Sequence, residues 1–352
     1  MRLIKKLAVV FKIGMCVYVV YCLIARFTLI KSEIISALSM WSNVILPSVF
    51  PYLVISGYIT KSDILLPLEK IFGRFFGFLF GISPGGISCI ICSLFCGYPS
   101  GAMSASMLYE KGEIEKNEAQ RLICFTNNAG PLFLVSAVGA CLLGSAKDGF
   151  AIYIIQIISA FIYAIFTRDK NKAITSPFKK SKKKAFDFCT CIKDSVTAIV
   201  NICGFMVVAY VMAACVIAGI DEIFGDVAFT GYIKIIVKSV FEISAGVKEI
   251  CLADFGDGRF GFICAAVSWS GVCVILQIKS VSKDIISTTG LCRAKLFQAI
   301  LSFFMGYAYK SFYKSYEFSQ NGGYGIGLSL GISVVLFLIY LFFARKKLSE
   351  KF

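Results

Sequence analysis

The sequence predicts an all-α polytopic membrane protein built as two inverted repeats, each holding a re-entrant or broken hairpin and interrupted transmembrane helices. Three observations carry that prediction. The 352 residues are 58% hydrophobic and 16% charged, with a mean hydropathy of +0.79, whereas soluble proteins carry about 25% charged residues. Apolar runs near the roughly 20 residues that a helix needs to cross a bilayer recur along most of the chain. Several runs are broken by Pro, Gly, Ser or Asn, and the breaks fall in the same order in both halves.

Residues 1–32 form an N-terminal transmembrane helix. Its apolar run, 7–30, keeps Lys12 and Arg26 near its ends and is too long for a cleavable signal peptide. The first repeat, 33–167, begins with an apolar stretch (33–60) interrupted by Pro47 and Pro51, expected to be a re-entrant hairpin entering from outside and turning near Pro47. An amphipathic stretch follows, ILLPLEKIFGRFFGFLFG. Residues 86–109, 122–145 and 150–167 are expected to cross. The first of these breaks at Gly97-Tyr98-Pro99-Ser100-Gly101, the second at Asn127-Asn128 before Gly130-Pro131. A polar tract, RDKNKAITSPFKKSKKK (168–184), links the halves. The second repeat, 185–345, opens with 185–220, read as the matching hairpin from the cytoplasmic side or as a plain span. Residues 232–253 break at Ser244-Ala245-Gly246 and 260–281 at Ser268-Trp269-Ser270-Gly271. Apolar segments near 291–313 and 326–344 and a short tail, 346–352, complete the chain. On this register GYPSGA aligns with EISAGV, and NNAGPLFLV with SWSGVCVIL.

The net charge of +15 is concentrated in the linker and at the two ends, at Arg2, Lys5 and Lys6 and at Arg345, Lys346 and Lys347. Lys and Arg gather in the short cytoplasmic segments of membrane proteins. The linker and both ends are therefore placed in the cytoplasm, the bilayer is the partner, and a nucleic-acid partner is excluded. Cys89 and Cys92 form a C-x-x-C with Cys96 a turn further on, but the chain has no histidine and no second such pair. Its 15 cysteines lie mostly in apolar runs, where a thiol acts as a small hydrophobe. No metal and no cofactor are expected. Without a histidine or a paired acidic motif no enzyme is expected either, so no residue is assigned as catalytic. The phosphate-binding G-x-x-x-x-G-K-[ST] loop is absent as well.

The breaks point to a ligand. Pro131 cannot donate a backbone hydrogen bond and Gly130 is permissive, so the helix ends there. Backbone groups freed inside lipid must be satisfied by protein, water or substrate. Paired interruptions in corresponding halves mark the binding site of a carrier. Pro99 and Pro131 sit where new half-helices begin, and such N-termini present unpaired N–H groups and about half a positive charge. Gly97, Tyr98, Ser100, Gly101, Asn127, Asn128, Ser244, Ser268 and Ser270 add donors or close backbone approach, the makings of a site for a small anion. Glu242 is an acid inside an apolar span, and Lys234, Lys238 and Glu242 share one helical face at i, i+4, i+8. Glu242 is either paired with Lys238 or is a coupling group for a proton or cation. The oligomeric state, a homo-oligomer included, is open.

The stretch GYPSGAMSASMLYEKGEIEKNEAQRLICFTNNAGPLFLVSAVG resembles the sporulation integral membrane protein family typified by YlbJ (SpoVV), in the nucleoside-recognition Gate-domain group. The family pattern G-Y-P-x-G-A, a short charged helix and F-T-N-N-x-G-P-L-F are all present. A later family-like motif appears as Ser270, Gly271, Val272, Cys273, Val274 and Gln277, which adds Gly271 and Gln277 to the site. The resemblance implies transport of dipicolinic acid across the outer forespore membrane of an endospore-forming bacterium. A nucleoside-type or cation-coupled carrier and a non-transporting scaffold needed for sporulation are the alternatives.

Overall fold

A computed structural model describes residues 2–61, 66–168, 188–225, 227–282 and 284–320, and every regular element among them is helical. Four helices there are long and apolar enough to cross a membrane, Phe27–Ile59, Ala146–Phe166, Phe188–Phe224 and Gly256–Ser282. The chain is an all-α polytopic membrane protein.

Helix α1 (Arg2–Ala25) turns at Arg26 into α2 (Phe27–Met40). From there the chain runs without reversal through a π turn (Trp41–Ile45) into α3 (Leu46–Lys61). The hairpin expected near Pro47 is therefore not formed. The wide turn lets Leu46 N–H reach Trp41 O. Ser48 Oγ donates to Val44 O and Ile45 O one turn back. The helix thus passes the missing N–H groups instead of reversing. Helix α4 (Leu66–Phe80) is the amphipathic stretch.

The second expected hairpin, 185–220, is also absent as far as it is described. Helix α9 (Phe188–Phe224) is unbroken, has no proline, and at about 55 Å is longer than a roughly 30 Å hydrocarbon core. It runs antiparallel to α2 and α3. Arg26 pairs with Glu222 at one end, Trp41 Nε1 donates to Ile199 O midway at 3.0 Å, and the Tyr58 and Phe188 rings lie 5.8 Å apart at the other.

Helical hairpins do exist, with arms of 10–14 residues, in segments that the sequence had assigned to crossings. Helices α5 (Gly86–Cys96) and α6 (Ser100–Glu110) have 11 residues each, about 16 Å, half the core thickness. Both open ends of the pair lie at the start of α7 (Lys116–Thr126). Ser83 N and Oγ each donate to Glu118 Oε1 at 2.6 Å, and α6 passes into α7 through the turn at 111–115. The tip reaches the far end of α7, where Asn127 Oδ1 accepts from Ala102 N at 3.0 Å. Helices α10 (Ala228–Phe241) and α11 (Ile243–Leu252) repeat the device. Lys238 Nζ lies 2.6 Å from Glu249 Oε1 across the two arms, and Tyr232 OH donates to Asp254 O at the open end.

Each hairpin is followed by an interrupted span and a long helix. The first set is α7, the helix 131–142 that becomes π-helical over Phe133–Leu142, and α8 (Ala146–Phe166). The second is α12 (Arg259–Trp269), α13 (Gly271–Ser282) and α14 (Thr288–Gln320). Three of the breaks foreseen in the sequence are present, at 97–99, 127–130 and 270, whereas the one expected at Ser244-Ala245-Gly246 falls instead at Glu242, those three residues lying inside α11.

The contacts at the two ends of the bundle fix the direction of each hairpin. At one end Arg121 donates to Phe80 O and Gly81 O, Gln120 Nε2 donates to Ile285 O at 2.6 Å, and Arg168 lies over the Phe78 ring. The first hairpin opens here. At the other end Lys234 pairs with Asp221 at 2.7 Å and Lys310 with Asp148 at 2.9 Å, and the second hairpin opens there. The two hairpins enter the bundle from opposite ends. Beyond Arg168 the basic linker, together with the apolar segment 326–344 and the tail 346–352, lies outside the described residues.

Lipid offers no hydrophobic drive between helices, so close backbone approach must hold them. A Cβ on Gly139 would stand 2.6 Å from Gly149 Cα, and one on Gly246 2.3 Å from Ser239 Cα. The first contact joins 131–142 to α8, the second closes the α10–α11 hairpin.

Candidate functional site

Each hairpin tip lies against the break of the span that follows it. Gly97, with φ +72°, faces Gly130, and a Cβ on Gly97 would lie 2.7 Å from Gly130 N. Gly271, with φ +81°, faces the second tip, where a Cβ would lie 3.0 Å from Phe241 O and 3.2 Å from Glu242 Cα. One side chain joins the two breaks. Gln156 of α8, 1% exposed, accepts from Ala129 N at 3.2 Å and donates to Val267 O at 3.1 Å.

The carbonyls that end α7 are satisfied almost entirely by side chains. Thr126 Oγ1 donates to Leu122 O, Asn127 Nδ2 to Ile123 O, Gln298 Nε2 to Cys124 O and Asn128 Nδ2 to Phe125 O. Lys295 Nζ donates to Asn127 O. The two asparagines are therefore committed to the protein, and Asn127 also caps α6 through Ala102 N. Pro99 stands immediately before α6 and Pro131 opens the helix after the break. Ser100 Oγ turns back to Gly97 O, and Gly101 packs on Thr126.

In the second half Glu242 has an extended backbone and caps α11, its Oε2 accepting from Ser244 Oγ and from Ala245 N at 2.8 Å. The Lys238–Glu242 pair, one of the two readings of Glu242, is not formed. The reversal at Glu242 carries α11 back beside α10, and Lys238 reaches Glu249 instead. Ser268 Oγ donates to Ser302 Oγ at 2.7 Å. Ser270 holds φ +70° with its hydroxyl on Val267 O.

Three cavities lie along the second hairpin, and one of them also reaches the first tip. The innermost, about 30 Å³, is lined by Gly97, Tyr98, Gly130, Glu242 and Gln277 together with α3 and α9 side chains. Gln277 is 3% exposed, and among the described residues its buried Oε1 has no hydrogen-bond partner, whereas buried acceptors are ordinarily paired. The second, about 130 Å³, holds Glu33, Tyr210, Lys238, Glu242, Lys248 and Glu249. The third, about 490 Å³, shares Glu33, Lys238 and Glu249 with the second and adds Tyr232 and Lys234. Glu242 thus stands between the inner cavity and a charged vestibule on the side where the second hairpin opens. Of the residues expected in the site, Pro99, Ser100, Gly101, Asn127, Asn128, Pro131, Ser244, Ser268, Ser270 and Gly271 line none of the three. They shape the tips and breaks around them.

Sequence reasoning missed Gln156, Tyr210, Lys295 and Gln298. The signal for two of them was present, since Lys295, Gln298 and Ser302 stand at i, i+3, i+7 on α14 and are all 0% exposed, a polar stripe on a helix otherwise read as an apolar span. Among the described residues no group of three or more Cys, Asp or Glu is placed to hold a metal.

Over 114 residues, 32% of this chain, the sequence is 29% identical to the sporulation integral membrane protein YlbJ of Bacillus subtilis (strain 168), and the match spans 28% of that protein. No family model matches the chain, and no solved structure does.

Proposed function

We propose that the chain is a carrier of a small anionic metabolite, dipicolinic acid foremost, acting in a sporulating cell at the outer forespore membrane. One observation carries the carrier reading. Two hairpins entering from opposite ends bring their tips and two broken spans around one inner cavity, the arrangement by which secondary transporters place a site at the bilayer midplane. The similarity to YlbJ supports sporulation, and the G-Y-P-x-G-A and F-T-N-N-x-G-P-L-F motifs support dipicolinate. The proposal assigns no catalytic residue and requires no cofactor.

Ligand sites of small molecules measure about 300–1,000 Å³, so an inner cavity of about 30 Å³ is too small for such a ligand. The tips must part for substrate to pass. An anion arriving through the vestibule meets Lys238 and Lys248, then Glu242. A carboxylate at Glu242 repels it and a carboxylic acid does not, so passage is tied to a proton on Glu242. A neutral hydrogen-bonding substrate such as a nucleoside is the second reading. It is favoured by the inner cavity, where Tyr98, Gln277 and Glu242 are joined by no Lys or Arg.

Uptake of labelled dipicolinate into proteoliposomes, with uridine in parallel, tests both. Dipicolinate uptake that responds to a pH gradient is expected, and Glu242→Gln, neutral at every pH like the protonated acid, should keep uptake while losing that response. Uridine uptake alone would replace the substrate, and uptake of neither would end the carrier reading.

A further inference from the structure

Lys295 is buried in the bundle with no anion to balance it. Its side chain is 0% exposed, and among the described residues no carboxylate lies within 4 Å. Its three ammonium hydrogens meet three neutral oxygens, Asn127 O, Asn128 Oδ1 at 3.5 Å and Gln298 Oε1 at 3.3 Å. An ammonium has three donors, so this set saturates it.

The position of the ammonium is the informative part. Asn127 O belongs to the carbonyl end of the half-helix α7, where the helix dipole gathers about half a negative charge. In carriers with broken helices such unwound carbonyls and half-helix C-termini coordinate the sodium ion or proton that drives transport. Among the described residues no such cation stands at the corresponding end of α12. There Val267 O accepts from Gln156 Nε2 and Ser270 Oγ, and Ala266 O from Ser270 N. The two breaks therefore differ in charge, a lysine at the first and Glu242 at the second tip.

We propose that the Lys295 ammonium is a tethered cation, standing in the carbonyl nest of the first break where a free monovalent cation would otherwise bind. Two consequences follow. The protein needs no sodium for its fold or for uptake, and removing the ammonium leaves a nest that accepts a small cation from solution. The uptake arm rests on the carrier reading, whereas the stability arm does not.

The test uses the full chain purified in detergent. Wild-type melting temperature should be the same in sodium, potassium and choline chloride at equal ionic strength, and uptake should be indifferent to the same exchange. Lys295→Ala removes the side chain beyond Cβ, a shape that n-propylammonium restores with its charge and 1-propanol restores without it. The variant should melt lower than wild type, recover with n-propylammonium chloride and not with 1-propanol. If Lys295→Ala cannot be obtained folded, expression and extraction with n-propylammonium present should recover it, and failure to recover it counts against the proposal. Equal rescue by 1-propanol would mean that the side chain only fills space. A Lys295→Met variant as stable as wild type, or wild-type stability or uptake that rises with sodium specifically, would overturn the proposal. Absence of uptake with dipicolinate and uridine alike would sink the carrier reading while leaving the melting results to decide this one.

Discussion

Replacing Gly97 with alanine asks whether the first hairpin tip and the first break are one packed unit. Gly97 has φ +72° and ψ −168°, a region that costs residues other than glycine about 1–3 kcal/mol. A Cβ there would stand 2.7 Å from Gly130 N and 3.0 Å from Gly130 Cα. Both are backbone atoms that no rotamer change can clear, and overpacking of this kind costs about 1–3 kcal/mol more. The expected loss is about 2–6 kcal/mol when the two are added. Two other glycines calibrate it. Gly112 has φ +69° with nothing within 4 Å, so its alanine bears only the backbone cost, about 1–2 kcal/mol. Gly204 lies inside α9 with nothing within 4 Å and should gain up to about 1 kcal/mol. Thermal unfolding midpoints of the detergent-purified variants should rank Gly204→Ala at or above wild type, Gly112→Ala below it and Gly97→Ala lowest. A Gly97→Ala midpoint equal to that of Gly112→Ala would show that the tip does not press on the break, and the reasoning about the inner cavity would fail with it.

Single cysteines replacing Lys111 and Asp257, both exposed, should be labelled by an impermeant maleimide from opposite sides of the membrane once the native cysteines are removed, Lys111→Cys from the cytoplasm. Labelling of both from the same side would contradict the opposite entry of the hairpins. A double-mutant cycle should find Lys238 coupled to Glu249, at the 0–1 kcal/mol (about) typical of ion pairs with this much exposure, and not to Glu242; a larger coupling to Glu242 would restore the pairing along one helical face.

The breaks were legible because glycine and proline act locally. Gly97-Tyr98-Pro99 and Asn127 to Pro131 interrupt helices whatever surrounds them, and these positions came through from sequence to structure, whereas the break expected at 244–246 falls at Glu242. What each break does to the chain was not legible. A Gly-Pro break can reverse a helix, as at 97–99, or merely offset it, as at 127–131, and the choice depends on which neighbours accept the freed groups. Pro47 and Pro51 show the other side of this. The chain passes both through a π turn and an otherwise continuous helix, a course invisible to a reading of residue types, so the proline pair that looked like a reversal is part of a span.

The site was legible as a place and not as a set of contacts. Periodicity put Lys238 and Glu242 on one face, but that holds only while the helix continues, and Glu242 is the residue at which it stops. Its extended backbone turns the carboxylate onto the start of α11 and returns the chain so that Glu249 meets Lys238. The asparagines were read as substrate ligands because a polar pair in an apolar span needs partners. The partners are the carbonyls of their own broken helix, the α6 N-terminus and a lysine from 168 residues away. That lysine lies at the start of its helix, close to Arg293, where a positive charge reads as a topology signal. Only the stripe formed with Gln298 and Ser302 separates a buried cation from an interfacial one, and it separates them on the same helical spacing that misplaced Glu242. Spacing is trustworthy where a helix is unbroken, as α14 is through these residues, and it fails within one residue of a break.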